Sequence, residues 1–188
     1  MTATNPTRRV LIICSNYGVE QDELGVPLDQ LTRAGVAVTL AAPDLDVVRT
    51  LVNDKDPGRT VEPTTTLAEV SSDEHDLLVV PGGTINADSL RLDGHAVSVV
   101  GRFAESGRTI AAICHGPWLA VEADVVRGKT LTSYPSLRTD ILNAGAASWV
   151  DRSVVVDTTD GHLLITSRTP DDLPDFLAAI EEALELDE

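Results

Sequence analysis

The chain has 188 residues and a formal charge of −16, from 30 acidic and 14 basic side chains. That length suits one folded domain, expected over 1–188 with residues 1–8 as a flexible polar tail. The acidic excess argues against nucleic acid or an anionic membrane as the main partner. No apolar run approaches the ~20 residues of a membrane span, Met1 to Arg9 lacks the apolar segment of a signal peptide, and two cysteines at unrelated positions make no disulfide framework. A reducing, cytoplasmic setting is expected.

In chain order, apolar runs alternate with amphipathic ones. Val10 to Cys14 is continuously apolar, the pattern of a strand buried on both faces of a parallel sheet. Ser15 to Gly18 reads as a loop. Gln21 to Arg33 reads as a helix with Leu24, Leu28 and Leu31 on one face and Gly35 as its stop. Val36 to Ala42 follows as a second strand, and strand, helix, strand implies a right-handed crossover in an α/β sheet. Pro43 to Pro63 carries Pro57, Gly58 and many aspartates, an irregular excursion with room for a short hairpin. Leu67 to Val70 reads as a short helix. Leu77 to Val80 is a third buried strand ending at Pro81, Gly82 and Gly83, and Ala96 to Glu105 is an amphipathic helix ended by Gly107. Thr109 to Ile113 is a fourth strand, followed by helices over Trp118 to Ala123 and Leu137 to Asn143 and a short strand at Leu131. Trp149 to Asp157 and Leu163 to Thr166 read as two late strands joined at Asp160 and Gly161. The last helix sets Leu173, Phe176, Leu177, Ile180 and Leu184 on one face, with Pro170 and Pro174 near its start, where a missing donor costs least.

The chemistry concentrates where the fourth strand ends. Cys114 stands between that apolar run and a helix, with Ala112 and Gly116 two places either side. A nucleophile elbow needs small residues there, because the backbone doubles back and larger side chains would collide. The first amides of the following helix have no intrahelical partners and favour a thiolate. The alternative is a buried strand-end cysteine acting as a small hydrophobe. In open α/β sheets ligands bind beyond the carboxyl ends of the strands, so Cys14 to Glu23, Pro81 to Gly83 and Cys114 with His115 should converge. Gly82 and Gly83 let the backbone approach a reacting oxygen, and the amides of Gly83 and His115 are expected to form an oxyanion site. Cys14 reads as core packing. His75, His95 and His162 lie in polar stretches without metal-ligand spacing, so no metal is indicated.

Ile113-Cys114-His115-Gly116-Pro117, Pro81-Gly82-Gly83, the segment Glu20 to Pro27, and Thr132-Ser133-Tyr134-Pro135 followed by Asn143-Ala144-Gly145 together resemble the PfpI family of the class I glutamine amidotransferase-like superfamily. The resemblance runs from about Arg9 to Leu184. It implies a flavodoxin-like three-layer α/β sandwich, a mostly parallel sheet with helices on both faces, assembled as a homodimer or higher oligomer and needing no cofactor. It makes Cys114 the nucleophile and Glu23 the carboxyl against its sulfur, with Glu20 as the rival. A carboxyl beside a thiolate should be protonated, since burial and a like charge both raise its pKa. His115 becomes a base oriented by an acidic side chain of a neighbouring subunit, and the acidic residue in the matching region, the loop Asn86 to Arg91, is Asp88. That loop is one residue longer than the commonest family form, with Asp where Glu often stands.

The resemblance implies attack of Cys114 on an electrophilic carbonyl: an α-oxoaldehyde such as methylglyoxal, or an early glycation adduct on a protein or peptide. Peptide hydrolysis through an acyl-enzyme is the second enzymatic reading, and a redox-sensing stress protein or chaperone using an oxidisable Cys114 is a non-enzymatic one. Glutamine amidotransferase activity is not expected. It needs a downstream His and Glu, and His162 is followed by Leu163, Leu164 and Ile165.

Overall fold

A computed structural model describes residues 7–186. The expected tail lies outside the described residues up to residue 6; within them Arg8 already ion-pairs with Glu185.

The first apolar run forms β1 (Arg9–Ile13), followed by β2 (Tyr17–Glu20), helix α1 (Gln21–Arg33) and β3 (Ala37–Ala42). The aspartate-rich excursion contains β4 (Val48–Val52) and β5 (Asp56–Val61), and β6 (Thr65–Thr66) precedes β7 (Leu77–Val80). Then come α2 (Thr84–Arg91), α3 (Gly94–Glu105), β8 (Thr109–Ile113) and α4 (Pro117–Glu122). The last third holds β9 (Thr130–Leu131), α5 (Arg138–Asn143), β10 (Ser148–Trp149), β11 (Val154–Asp157), β12 (Leu164–Ser167) and α6 (Leu173–Ala183).

The central sheet has the order β11-β12-β8-β7-β1-β3-β6, and only the β11–β12 pair is antiparallel. Side chains alternate across it. From β1, Val10 and Ile12 join the core under α1 and α6, with Leu24, Leu31, Phe176 and Ile180. Leu11 and Ile13 point the other way, into the core under α2, α3 and α4 with Leu90, Val99, Phe103 and Leu119. Helices thus cover both faces, the flavodoxin-like sandwich. The winding reverses between β1 and β7, so the crevice of a doubly wound sheet opens beyond the carboxyl ends of those strands and of β8.

Four local expectations change. Ser15 to Gly18 is not simply a loop, because β2 begins at Tyr17 and pairs with β4, which pairs with β5 as an antiparallel hairpin. Leu67 to Glu69 is one hydrogen-bonded turn, closed by Val70 N–H to Thr66 O, too short to propagate a helix. The expected loop over Asn86 to Arg91 is helical in α2. Trp149 to Asp157 is broken, since β10 pairs with β9 while β11 joins the central sheet. His75 and His162 lie outside helices and strands as expected but are buried, whereas His95 lies in the first turn of α3; His75 lies between Ser71 O and the Thr39 hydroxyl.

Candidate active site

Cys114 is the turning point of the chain after β8. Its φ of +62° lies in the left-handed region that non-glycine residues rarely occupy. The turn is held on both sides: Cys114 N–H donates to Ser167 O at 3.0 Å and Cys114 O accepts from Tyr134 N–H at 2.9 Å. A Cβ on Gly116 would strike the Val80 and Ile113 carbonyls, which is why the elbow needs a glycine there. The sulfur residue is 7% exposed, enough to face a cavity of about 540 Å³. Glu20, Glu23, Asp54, Gly83, His115 and Tyr134 share that cavity's lining with Asp22, Thr84 and Asp171.

The Glu23 side chain comes from the first turn of α1 and is fully buried. Its Oε2 accepts from Gly82 N–H at 2.8 Å, while Oε1 has no hydrogen-bond partner among the described residues. The carboxyl faces the Cys114 thiol. A Cβ on Gly82 would sit 2.5 Å from Glu23 Oε2 and 2.6 Å from Cys114 Cβ, so this glycine lets the two functional groups meet. Burial pushes the Glu23 carboxyl up to about 8, with the charges of Glu20 and Asp54 adding to it and the Gly82 amide opposing. A protonated carboxyl has a proton to donate, and the group it faces is the Cys114 thiol.

The thiol behaves differently from the sequence expectation. The amides of Gly83 and His115 both donate toward the Cys114 sulfur and favour the thiolate, yet burial and then the charge of Glu23 outweigh them and raise the thiol pKa. The helix contributes little. It starts at Pro117, which has no N–H, and the Gly116 and Trp118 amides are spent on Ile113 O and His115 O. Thiol and carboxyl are two acids in one dry site, so the resting pair keeps protons on both, and a thiolate has to be made as it reacts.

The His115 ring lies beside the thiol, with Nδ1 3.2 Å from Sγ. Tyr134 stacks on it at 4.7 Å and Trp118 meets its edge at 5.3 Å, which fixes its plane. Burial lowers its pKa, with the Asp54 charge opposing, so the ring is a neutral base at physiological pH. Glu20 lines the same cavity; burial raises its pKa, and its carboxyl accepts from the Asn53 and Asp54 amides. Glu23 rather than Glu20 is the carboxyl against sulfur. Asp88 is exposed on α2 and lines no part of its own chain's cavity. Cys14 is wholly buried in the core, its thiol pushed up to about 12 by burial alone.

Three site residues escaped the sequence reading. Asn86 is fully buried and ties the strand ends together, accepting from Ser15 N–H at 2.7 Å and donating to Pro81 O and Gly82 O at 3.1 and 2.9 Å. Asp54 reaches the cavity from the tip of the β4–β5 hairpin, where Asn53 and Asp54 both have φ of +56°. Two left-handed residues make the type I′ turn that suits Asn and Asp, a local signal the sequence does carry. Thr84 opens α2 and bonds Asp54 through both its amide and its hydroxyl.

The DJ-1/PfpI family model matches residues 8–183. A deglycase of Pyrococcus abyssi is 38% identical over 165 residues, covering 88% of this chain and 92% of that protein. The protein/nucleic acid deglycase 2 of Escherichia coli is 39% identical over 166 residues, covering 84% of this chain and 87% of its own. Among solved structures, Drosophila melanogaster DJ-1beta is similar with a TM-score of 0.81 at 33% identity, covering 96% of this chain and 90% of that one. The family model spans nearly the whole chain, and the chain belongs to the DJ-1/PfpI family.

Proposed function

We propose that the protein is a cysteine-dependent hydrolase of α-oxoaldehydes and early glycation adducts, working through a Cys114 hemithioacetal. The observation that carries this reading is the left-handed elbow cysteine facing the fully buried Glu23 carboxyl, with the amides of Gly83 and His115 directed at its sulfur. Cys114 sulfur attacks the aldehyde carbon of methylglyoxal while its proton passes to His115 Nδ1. The carbonyl oxygen takes the negative charge within reach of the Gly83 and His115 amides, then takes the Glu23 proton. Glu23, now a carboxylate, removes the proton from the former aldehyde carbon and returns it to the neighbouring carbon, while the hydroxyl proton passes from the first oxygen to the second. A thioester of lactate results. Water cleaves it, its OH joining the acyl carbon and its proton restoring Glu23, and the imidazolium returns its proton to the leaving sulfur.

On an early adduct of a protein amine the same thiol forms its bond to the aldehyde-derived carbon as the carbon–nitrogen bond breaks, and the thiol proton leaves with the amine. The formal charge of −16 favours protein amines over nucleic acid as the source of that substrate. We place the enzyme in a reducing, cytoplasmic setting, as a homodimer or higher oligomer of the kind the family resemblance implies.

The test is a substrate panel with the wild type and Cys114→Ala: methylglyoxal, the early methylglyoxal adduct of N-acetylarginine, unmodified peptides, and peroxide. Release of free N-acetylarginine faster than scavenging of free methylglyoxal allows supports the deglycase reading. Peptide cleavage without carbonyl turnover replaces it with a peptidase, and oxidation of Cys114 without turnover of any substrate replaces it with a redox sensor.

A further inference from the structure

The base beside Cys114 has a second nitrogen, and what that nitrogen meets decides what the first can do. His115 Nε2 lies 3.3 Å from the Thr84 hydroxyl oxygen and 3.4 Å from that of Ser136. The Thr84 hydroxyl has one proton, and it goes to Asp54 Oδ2 at 2.6 Å, while Thr84 N–H donates to Asp54 Oδ1 at 2.8 Å. Held by both carboxylate oxygens, Thr84 cannot turn its proton toward the ring, so its oxygen can only accept from Nε2. Ser136 is more distant and among the described residues its hydroxyl makes no other hydrogen bond to commit it, so it follows whichever polarity Thr84 sets.

We propose that Thr84 and Asp54 are positioning residues that hold neutral His115 as the Nε2–H tautomer, leaving the Nδ1 lone pair free to take the Cys114 thiol proton. The proton moves once, from Sγ to Nδ1. The resulting imidazolium keeps its Nε2–H on Thr84, the Thr84 proton stays on its oxygen, and Asp54 remains a carboxylate. The orienting acid is then supplied within one chain, from the hairpin tip, with no need of Asp88 from a neighbour. Tyr134 and Trp118 already fix the plane of the ring, so the choice of tautomer is what is left for Thr84 and Asp54 to make.

The inference deepens the reading of Cys114 as nucleophile and rests on it, so its test needs a readout that does not depend on turnover. Long-range ¹H–¹⁵N NMR of the His115 ring in the folded protein reports the tautomer directly. The wild type should show a protonated Nε2 and an unprotonated Nδ1. Thr84→Val and Asp54→Asn should shift the ring toward a mixture of tautomers, and Thr84→Ser should restore the wild-type pattern. In parallel, kcat for methylglyoxal should fall about ten- to hundredfold in Thr84→Val and Asp54→Asn, with KM little changed, and recover in Thr84→Ser. An Nδ1-protonated wild-type ring, or a tautomer unmoved by either substitution, overturns the proposal. Loss of activity in Asp88→Asn with Thr84→Val unaffected overturns it as well, in favour of the neighbouring subunit. The expected NMR pattern in a wild type that turns over none of the panel supports the orientation of His115 while removing the hydrolase reading.

Discussion

At the scale of single residues, Glu23 is where the fold spends stability on chemistry. An ordinary Glu titrates at about 4.3, whereas burial holds this one up to about 8. Below the ordinary range the folded and unfolded chains both keep the proton. As pH rises from there the unfolded chain releases it and the folded chain does not, so stability drains away until the folded group also ionises near 8. The slope can reach ~1.4 kcal/mol per pH unit. Glu23→Gln has nothing to titrate at this position. Urea unfolding at several values between pH 5 and pH 8 should therefore show the variant gaining steadily on the wild type; parallel curves would mean that Glu23 is ionised in the folded protein. Cys114 was legible as an elbow from Ala112, Gly116 and the apolar run before it. Its protonation state was not, because helix amides are visible in a sequence, while the burial and the facing carboxyl that outweigh them are products of the fold.

At the scale of elements, the inner strands of the central sheet were readable because burial on both faces leaves only apolar residues, as in Val10 to Ile13 and Leu77 to Val80. The β4–β5 hairpin fell within the excursion where a short hairpin was expected, but its strands and their pairing with β2 were not readable, since β5 runs Asp56-Pro57-Gly58-Arg59-Thr60-Val61 with no buried residue to set a period. Helix α2 was hidden for another reason: no side chain of its own caps it, and the acceptor for its first amide is Asp54, thirty positions earlier. Asn86 does its work from inside that helix. Asn86→Ala would strand the Ser15 N–H and reduce the acceptance of two carbonyls at the mouth of the site, all of them buried. A loss of about 3 kcal/mol in urea unfolding is expected, along with a lower kcat, because Gly82 and Gly83 are no longer pinned beside Glu23 and Cys114. An unchanged kcat in a folded Asn86→Ala protein would show that the glycine turn holds its own shape.

At the scale of the whole molecule, the charge of −16 and the carboxylates of Glu20, Asp22, Asp54 and Asp171 around the cavity act in the same direction. Among the described residues no Lys or Arg lines that cavity. An anionic reagent should reach Cys114 more slowly than a neutral one of the same shape. Alkylation by iodoacetate should trail that by iodoacetamide by more than it does with N-acetylcysteine, and the gap should close between ~0.01 M and ~0.5 M salt as the Debye length shrinks. Wholly buried Cys14 should stay unmodified in the same experiment. A salt-independent ratio equal to that of the free thiol would show that the field of the protein does not govern access.

The central claim is that Cys114 and Glu23 act together on a carbonyl, and the conversion of methylglyoxal to lactate tests it most directly. Wild type, Cys114→Ala and Glu23→Gln would be followed by lactate formation, with each variant shown to be folded by its circular dichroism and cooperative unfolding. Turnover by the wild type is predicted, with none above background in Cys114→Ala and a fall of at least about a hundredfold in Glu23→Gln. Lactate formation at the wild-type rate by a folded Glu23→Gln protein, or none by the wild type, would contradict the account.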